Sequence, residues 1–253
     1  MLYFVIPVYN EGKSIAKQLD SIKDIMEKKS YSYNMIIVND GSTDNTQQIL
    51  EEYQKRMPII IARHEINKNV GAAFRLGFKK VLELAKDEDI VITMEADNTQ
   101  TLKTIELMMQ KINEGYEIVL GSFFATGGML LGAPFKRRVL SWGCNFIYQT
   151  LFHIKGIKEY TCFYRAYSVA ALRKAFNIFG DKLIESVGFG TMAEMLIKFR
   201  RIPLFITEVP MIVRLDLKKG ISKIKIVSTI KEHIKIMRKN LFKRSIVKCQ
   251  EDI

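Results

Sequence analysis

The sequence is poor in the residues that build cross-linked extracellular domains. Its 253 residues include three cysteines and five prolines. The cysteines (Cys144, Cys162 and Cys249) are too few and too scattered for a disulfide framework or a zinc site, so we expect a reducing compartment. The amino-terminal segment lacks the features of a signal peptide, and no run reaches the roughly 18 apolar residues of a spanning helix. We therefore expect a protein that stays in the cytoplasm and does not cross a bilayer.

Acidic residues are scarce relative to basic ones. The chain has 39 Lys and Arg against 27 Asp and Glu, a formal net charge of +12. Such an excess indicates an anionic partner, and nucleic acid, anionic lipid headgroups and phosphate-bearing substrates are the candidates. The sequence contains no known nucleic-acid-binding motif, so we expect lipid or a phosphorylated substrate rather than nucleic acid.

Apolar runs and helical patterns alternate through the first half of the chain. Strands are predicted at Leu2–Pro7, Met35–Val38, Ile59–His64, Ile90–Met94 and Glu117–Gly121. Helices of 10–15 residues are predicted between them, and Asp44 is placed to cap the helix that begins near Asn45. This alternation predicts an α/β fold with parallel strands and right-handed crossovers.

Polar clusters follow three of the predicted strands. They are Tyr9-Asn10-Glu11, Asp40-Gly41-Ser42 and Glu95-Ala96-Asp97. In open α/β sheets, ligands bind outside the carboxyl ends of the strands. One such cluster is usually only a turn or a helix cap, but three at one edge favour a binding site.

The third cluster carries a pattern suited to a metal ion. Glu95 and Asp97 lie two residues apart in a turn after a buried strand, so both carboxylates can hold a divalent cation such as Mg²⁺ or Mn²⁺. The cation would also bridge phosphate oxygens and stabilise the charge on a departing diphosphate. An isolated acidic pair of this kind is a weak signal, and its position after the strand strengthens it.

Four segments together resemble glycosyltransferase family 2, in that family's order and spacing. They are Val5–Glu11, Val38–Asp44, Asn69–Gly77 and Glu95–Asp97. The resemblance implies a GT-A fold, which is a Rossmann-like mixed sheet with helices on both faces, and inversion at the anomeric carbon. It places the nucleotide sugar on Pro7, Tyr9, Glu11, Asp40, Gly71, Arg75 and Ala96. It places the metal, Mg²⁺ or Mn²⁺, on Glu95, Asp97 and Thr99.

The resemblance continues into the second half of the chain. Lys136–Ser141, Thr161–Tyr167, Glu208–Pro210 and Gly220–Lys223 look like the dolichyl- or polyprenyl-phosphate sugar transferase branch. The likeness implies transfer of one sugar from GDP-mannose or a UDP-hexose to a polyprenyl phosphate at the inner membrane face. Its acceptor-phosphate residues would be Arg137, Ser141 and Lys223, and its catalytic residues Glu95, Asp97 and Arg137. An anionic acceptor needs no general base.

Four positions depart from the pattern of that branch. Glu95 replaces the usual first Asp, and Thr99 stands where an amide or a hydroxyl assists the metal. Phe123 stands where an Arg usually follows Gly-Ser, which removes one expected phosphate contact. Phe163 replaces a small residue and is expected to reshape the acceptor pocket.

The region after about residue 215 is predicted to form a basic amphipathic tail. We place a catalytic domain at residues 1–215 and the tail at 216–253. Apolar residues recur along the tail at steps of three or four: Ile226, Ile230, Ile234, Met237 and Leu241. Either this stripe packs on the enzyme, or it enters a membrane surface while the lysines meet anionic headgroups. We expect the membrane surface, because a chain without a spanning segment must reach a lipid acceptor. An integral-membrane partner protein is a further possibility. The predicted aromatic helix with Trp142, Phe146 and Phe152 likewise fits either the protein core or a membrane contact.

Two other functions fit the same residues. A family 2 transferase acting on a sugar hydroxyl of a surface polysaccharide or a lipid-linked saccharide needs a carboxylate base, and Glu185 or Glu194 would supply it. A non-catalytic subunit with a nucleotide-sugar fold would explain Glu95 and Phe123.

Overall fold

The computed structural model describes residues 1–218 and 226–243. In this part of the chain the strands are β1 (Leu2–Val8), β2 (Tyr33–Asp40), β3 (Ile59–His64), β4 (Ile90–Thr93), β5 (Ile118–Ser122), β6 (Met129–Leu131), β7 (Arg165–Ser168), β8 (Ile206–Pro210) and β9 (Ile212–Arg214). The helices are α1 (Ile15–Lys28), α2 (Thr46–Gln54), α3 (Val70–Leu84), α4 (Thr104–Asn113), α5 (Phe135–Leu151), α6 (Val169–Phe179), α7 (Thr191–Phe199) and α8 (Ile226–Asn240). Short 3-10 turns occupy Gly180–Leu183 and Leu215–Leu217.

A mixed sheet forms the centre of the molecule. Among the described residues its strand order is β3-β2-β1-β4-β7-β5-β8. The first four strands in this order are parallel, as the alternation of strands and helices predicts. The antiparallel strand β7 separates β4 from β5, and β5 pairs in parallel with β8. The expected α/β sheet with helices on both faces is confirmed, and β7 is the element that makes it mixed.

Two apolar cores cover the two faces of the sheet. Successive residues of β1 point to opposite faces, so Tyr3 and Val5 pack in one core with α3, α6 and α7. Phe4 and Ile6 pack in the other core with α1, α2 and α4. Because both faces are buried, β1 and β2 are nearly continuous apolar runs. This double burial fixes the positions of the strand ends that carry the polar clusters.

Helix α8 packs against α5 and the 186–190 segment through polar contacts. The carboxylate of Glu232 accepts hydrogen bonds from Ser186 Oγ and from the backbone N–H groups of Gly188 (2.7 Å) and Gly190 (3.2 Å). His233 Nδ1 lies 2.7 Å from the hydroxyl of Tyr148 in α5. The expected boundary near residue 215 stays a prediction, and these contacts tie α8 to the preceding residues.

Large apolar side chains are exposed on α5 and α8. On α5, Trp142 is 57% exposed and Phe146 is 68% exposed, whereas Tyr148 is buried. The α5 row consists of Phe135, Val139, Trp142 and Phe146, spaced along one helical stripe. The α8 row consists of Ile226, Ile230 and Ile234 and continues in Leu241 directly after the helix; these four side chains are exposed, whereas Met237 packs against the core. Among the helices that the structure describes, none is long and apolar enough to span a bilayer.

Candidate active site

The loops after β1 and β2 are joined by side-chain hydrogen bonds. Asn10 has φ +51°, and its amide oxygen accepts from the backbone N–H of Thr43 at 2.8 Å. The backbone N–H of Glu11 donates to Thr46 Oγ1 at 2.9 Å. Asp44 accepts from the N–H of Thr46, the first residue of α2, at 3.0 Å, although it lies one residue before the N-cap Asn45, whose own side chain makes no cap hydrogen bond. The first two polar clusters are therefore held together by hydrogen bonds at the carboxyl ends of β1 and β2.

The acidic cluster after β4 is oriented by its own turn. Asp97 Oδ1 accepts from Thr99 Oγ1 at 2.7 Å and from the N–H of Thr99 at 3.2 Å. Glu95 Oε2 accepts from Gln100 Nε2 at 3.2 Å. Asn98 has φ +60° and donates to the backbone oxygen of Ser14 at 2.9 Å, which fixes the turn against the start of α1. Both carboxylates are thereby held in defined orientations.

The ammonium of Lys218 contacts this cluster. Its Nζ lies 2.8 Å from Asp97 Oδ2. Burial alone would lower the pKa of Lys218, but Asp97 and Glu95 outweigh it, and the pKa is raised. The side chain of Glu95 is half-buried in the wall of a cavity. Burial raises the pKa of Glu95 to about 7, Asp97 adds to the rise, and Lys218 and Arg137 oppose it. The site therefore concentrates negative charge that attracts cations.

A cavity of about 1150 Å³ lies at this edge of the sheet. Its wall includes eight of the residues predicted to bind the donor, the metal or the acceptor: Pro7, Tyr9, Glu11, Asp40, Glu95, Ala96, Asp97 and Arg137. Arg137 comes from the first turn of α5, whereas the other seven lie at the carboxyl ends of β1, β2 and β4 or directly after them. The structure thus brings the predicted donor side and one predicted acceptor residue into a single space.

Other predicted site residues lie off the cavity wall. The N–H of Gly71 donates to the backbone oxygen of Val187 at 2.9 Å, and a Cβ at Gly71 would lie 2.1 Å from the backbone oxygen of Ser186. Arg75 donates to the backbone oxygen of Ile184. Both residues anchor the 184–187 loop, and their contact with the nucleotide stays a prediction.

The remaining predicted residues are placed as follows. Ser141 is half-buried one helical turn after Arg137, on the same side of α5. Thr99 is buried and reaches the cluster through Asp97. Lys223 lies outside the described residues.

The residues present fit a divalent cation bound together with a diphosphate. Glu95 and Asp97 offer hard carboxylate oxygens, and Mg²⁺ or Mn²⁺ bound by one or two carboxylates completes its shell with water and substrate phosphates. In the described residues, no cluster of three or more potential ligand side chains exists, so the protein alone does not enclose an ion. The position of Lys218 Nζ, 2.8 Å from Asp97, marks a place where positive charge is stabilised.

The far half of the cavity is formed by the 185–189 loop and α8. Lys231, Lys235 and Lys239 all line it. These lysines belong to the predicted basic tail, and their spacing in the sequence gives no sign of a contact with the site. Glu232 is the one acidic residue of α8, and it holds this helix against the 186–190 segment. An isolated acid within a basic helix was the signal available for this contact.

The two carboxylates considered as a general base are both engaged in ion pairs. Glu194 is buried 2.7 Å from Lys198 and accepts from the N–H groups of Glu185 and Ser186. Glu185 lies 3.1 Å from Lys198 and 2.5 Å from Lys239. Burial alone would raise the pKa of Glu185, but hydrogen bonds from these two lysines outweigh it and lower the pKa to about 2. Glu185 is therefore a poor proton acceptor at neutral pH, and the Glu194 carboxylate is already engaged by Lys198 and two backbone N–H groups.

The two aromatic departures occupy different places. Phe163 lines the main cavity and stacks on Phe74 with ring centroids 5.4 Å apart. Phe123 packs on Phe124 and lines a separate apolar hollow of about 330 Å³ beside Trp142 and Arg138. The ring of Phe163 therefore takes up space in the main cavity that a small residue would leave open. Phe123 instead lines the separate hollow.

The mixed sheet and the acidic turn at its edge define a glycosyltransferase of the GT-A type. The chain belongs to glycosyltransferase family 2, whose family model, described as "Glycosyl transferase family 2", matches residues 3–176. It is therefore a glycosyltransferase, which removes support for a purely non-catalytic role.

Several similar proteins are named as dolichyl- or undecaprenyl-phosphate sugar transferases. UDP-N-acetylglucosamine–dolichyl-phosphate N-acetylglucosaminyltransferase of Methanococcus voltae is 30% identical over 227 residues, covering 83% of this chain and 84% of that protein. Undecaprenyl-phosphate mannosyltransferase of Micrococcus luteus is 27% identical over 207 residues, covering 81% and 80%. Dolichol-phosphate mannosyltransferase of Pyrococcus furiosus is 26% identical over 195 residues, covering 77% and 51%.

Two solved structures of similar fold contain a bound nucleotide, and one of them also contains Mn²⁺. Glucosyl-3-phosphoglycerate synthase of Mycobacterium tuberculosis, in complex with Mn²⁺, UDP and phosphoglyceric acid, has a TM-score of 0.69 and 16% identity, covering 96% of this chain and 78% of that one. Staphylococcus aureus TarS with UDP has a TM-score of 0.63 and 16% identity, covering 97% and 67%. At this level of identity the likeness establishes the GT-A fold.

Proposed function

We propose that this protein transfers one sugar, with inversion, from a nucleoside diphosphate sugar to the phosphate of a polyprenyl lipid. The reaction would take place at the cytoplasmic surface of a membrane and would use Mg²⁺ or Mn²⁺. The relatives named above are transferases to dolichyl or undecaprenyl phosphate, which supports this acceptor class.

One observation carries the proposal: the acidic donor residues and a set of cations share a single cavity. Glu95 and Asp97 line it from the turn after β4, and Arg137 lines it from α5. The α8 lysines close the other side. A cavity of about 1150 Å³ has room for a nucleotide sugar together with a second phosphate. The cations there are suited to hold two anionic substrates against their mutual repulsion.

The chemistry requires positioning more than proton transfer. An oxygen of the lipid phosphate forms a bond to the anomeric carbon while the bond from that carbon to the β-phosphate oxygen breaks. The nucleoside diphosphate leaves with the electron pair. When bound, the metal ion neutralises the charge that develops on the diphosphate. Glu95 and Asp97 would hold it, and Arg137 would orient the attacking phosphate, which is already anionic.

The ion pairing of Glu185 and Glu194 weighs against a sugar hydroxyl as the acceptor. A hydroxyl must lose a proton as it attacks, and both candidate bases are neutralised by lysines. An anionic phosphate acceptor has no such requirement. This distinction favours the lipid phosphate over the polysaccharide alternative.

The exposed apolar rows on α5 and α8 support work at a membrane surface. The two helices touch through Tyr148 and His233 on their buried sides, and each leaves an apolar row exposed. Lysines and arginines flank both rows, and such a combination binds anionic bilayers. An apolar row that packed on the enzyme itself would be buried, but Ile230 and Ile234 are exposed.

Arg137 and its neighbour Arg138 offer a matched test. Arg137 lines the main cavity, whereas Arg138 lines the separate hollow beside Trp142. We expect Arg137→Gln to raise the KM for polyprenyl phosphate about tenfold or more, because a charged hydrogen bond to the acceptor is lost. The KM for the nucleotide sugar should change far less, and Arg138→Gln should leave both near wild type. Equal effects of the two variants on the lipid KM would reject the assignment of Arg137.

A further inference from the structure

One of the two oxygens of the Asp40 carboxylate is already fully hydrogen-bonded before any nucleotide binds. Its Oδ1 lies 2.7 Å from His64 Nδ1 and accepts the backbone N–H of Lys68 at 2.9 Å. A carboxylate oxygen has two lone-pair sites and only accepts, so His64 donates and both sites on Oδ1 are used. In the described part of the chain, no hydrogen bond is made by Oδ2. Asp40 lines the cavity, so Oδ2 is the atom left for a ligand.

The surrounding backbone holds this arrangement in place. Asp40 and His64 are cross-strand partners at the ends of β2 and β3. Gly41 follows with φ +70°, and a Cβ there would lie 2.5 Å from the backbone carbon of Ile66. The 65–68 loop is therefore pressed against the end of β2, which keeps the N–H of Lys68 on Oδ1. A ligand gains access to Oδ1 only by displacing packed backbone.

We propose that His64 and the 65–68 loop make Asp40 a selector for uridine diphosphate sugars over guanosine diphosphate sugars. The inference rests on the proposed function, since it takes Asp40 as the residue that meets the base. Uracil presents a single N–H, at N3, between two carbonyl oxygens. Guanine presents two parallel N–H donors, at N1 and N2, which match the two oxygens of one carboxylate, as an arginine fork does.

Because both acceptor sites of Oδ1 are already used, Asp40 can accept a hydrogen bond from one N–H donor of the base through Oδ2, but not from two parallel N–H donors. Uracil N3–H pairs with Oδ2 and leaves no donor over. Guanine would place its second N–H against an oxygen that already accepts two hydrogen bonds. A site that leaves a buried donor unpaired rejects the ligand strongly. Cytosine is rejected differently, because its unprotonated N3 would face the carboxylate.

Two substitutions at His64 separate the donor from the bulk of the side chain. His64→Asn retains an N–H near the position of Nδ1, whereas His64→Leu fills similar space without a donor. We expect wild-type protein to bind UDP about tenfold or more tighter than GDP in the presence of Mn²⁺, measured by isothermal titration calorimetry. His64→Asn should keep this ratio, and His64→Leu should lower it several-fold, mainly through tighter binding of GDP.

Comparison ligands complete the experiment. CDP should bind weakly, because its N3 carries no hydrogen. dTDP carries the same N3–H as UDP but lacks the ribose 2′-hydroxyl, so the ratio of its affinity to that of GDP reports recognition of the base alone. GDP binding as tightly as UDP to the wild type would overturn the selector, as would an unchanged ratio in His64→Leu. Failure of all four diphosphates to bind with Mn²⁺ would instead reject the proposed function. Circular dichroism of both variants establishes that they are folded.

Discussion

Phe146 provides a direct test of the membrane-facing surface. Its side chain is 68% exposed on α5, and a fully buried phenylalanine removes roughly 200 Å² from water. Full insertion of the exposed part, about 135 Å², would contribute about 3 kcal/mol at ~25 cal/mol per Å². Insertion to half that depth gives about 1.5 kcal/mol, or roughly tenfold in partitioning. We therefore expect Phe146→Ser to weaken binding to anionic vesicles about tenfold.

A matched control exists at the opposite edge of the sheet. Phe205 is 70% exposed and pairs with Glu117 at the start of β5, away from the strand ends that carry the site. Phe205→Ser should leave partitioning unchanged. The assay is sedimentation with vesicles that contain anionic lipid and no acceptor, so catalysis does not enter. Unchanged partitioning of Phe146→Ser, or an equal loss in Phe205→Ser, would refute the assignment of α5 to the membrane.

Three further outcomes are expected, two at the acidic cluster after β4 and one at the contact between α8 and the 186–190 segment. Binding of Mn²⁺ with UDP should tighten roughly tenfold from pH 6 to pH 8, because Glu95, with a pKa raised to about 7, must ionise before it ligates a cation. Glu95→Gln should flatten that profile, and a wild-type profile already flat would contradict the cause. Lys218→Met should tighten binding of Mn²⁺ alone by roughly threefold, since the ammonium 2.8 Å from Asp97 competes with the metal. Weaker binding measured by manganese EPR would count against this competition. Glu232→Ala should lower the free energy of unfolding by about 2–4 kcal/mol, because three donors lose their acceptor. The control Glu83→Ala breaks only an exposed pair with Lys80 and should cost less than about 1 kcal/mol in urea denaturation.

The first half of the fold was predictable because its signals are local. Apolar runs marked β1 to β4, and β3 matches its predicted bounds of Ile59–His64. The polar clusters at the strand ends indicated the donor side of the cavity for the same reason. Each inference needed only neighbouring residues and the rule for ligand position in α/β sheets.

The elements that were missed depend on distant partners. Strand β7 is four residues long and lies between β4 and β5, which precede it by many residues in the chain. Its place is decided by pairing, which a single sequence does not display. The contact of Lys218 with Asp97 spans 121 positions, and the charge pattern showed only a basic stretch. The exposure of Trp142 was likewise undetermined, because an apolar helical stripe fits either a core or a membrane.

The central claim is that one cavity joins an activated sugar to a lipid phosphate. Purified protein with Mn²⁺ can be offered labelled nucleotide sugars together with either polyprenyl phosphate or the matching polyprenol. Label should enter the lipid only with polyprenyl phosphate, and Asp97→Ala should abolish the transfer. Equal labelling of the dephosphorylated prenol, or full turnover by Asp97→Ala, would contradict the account.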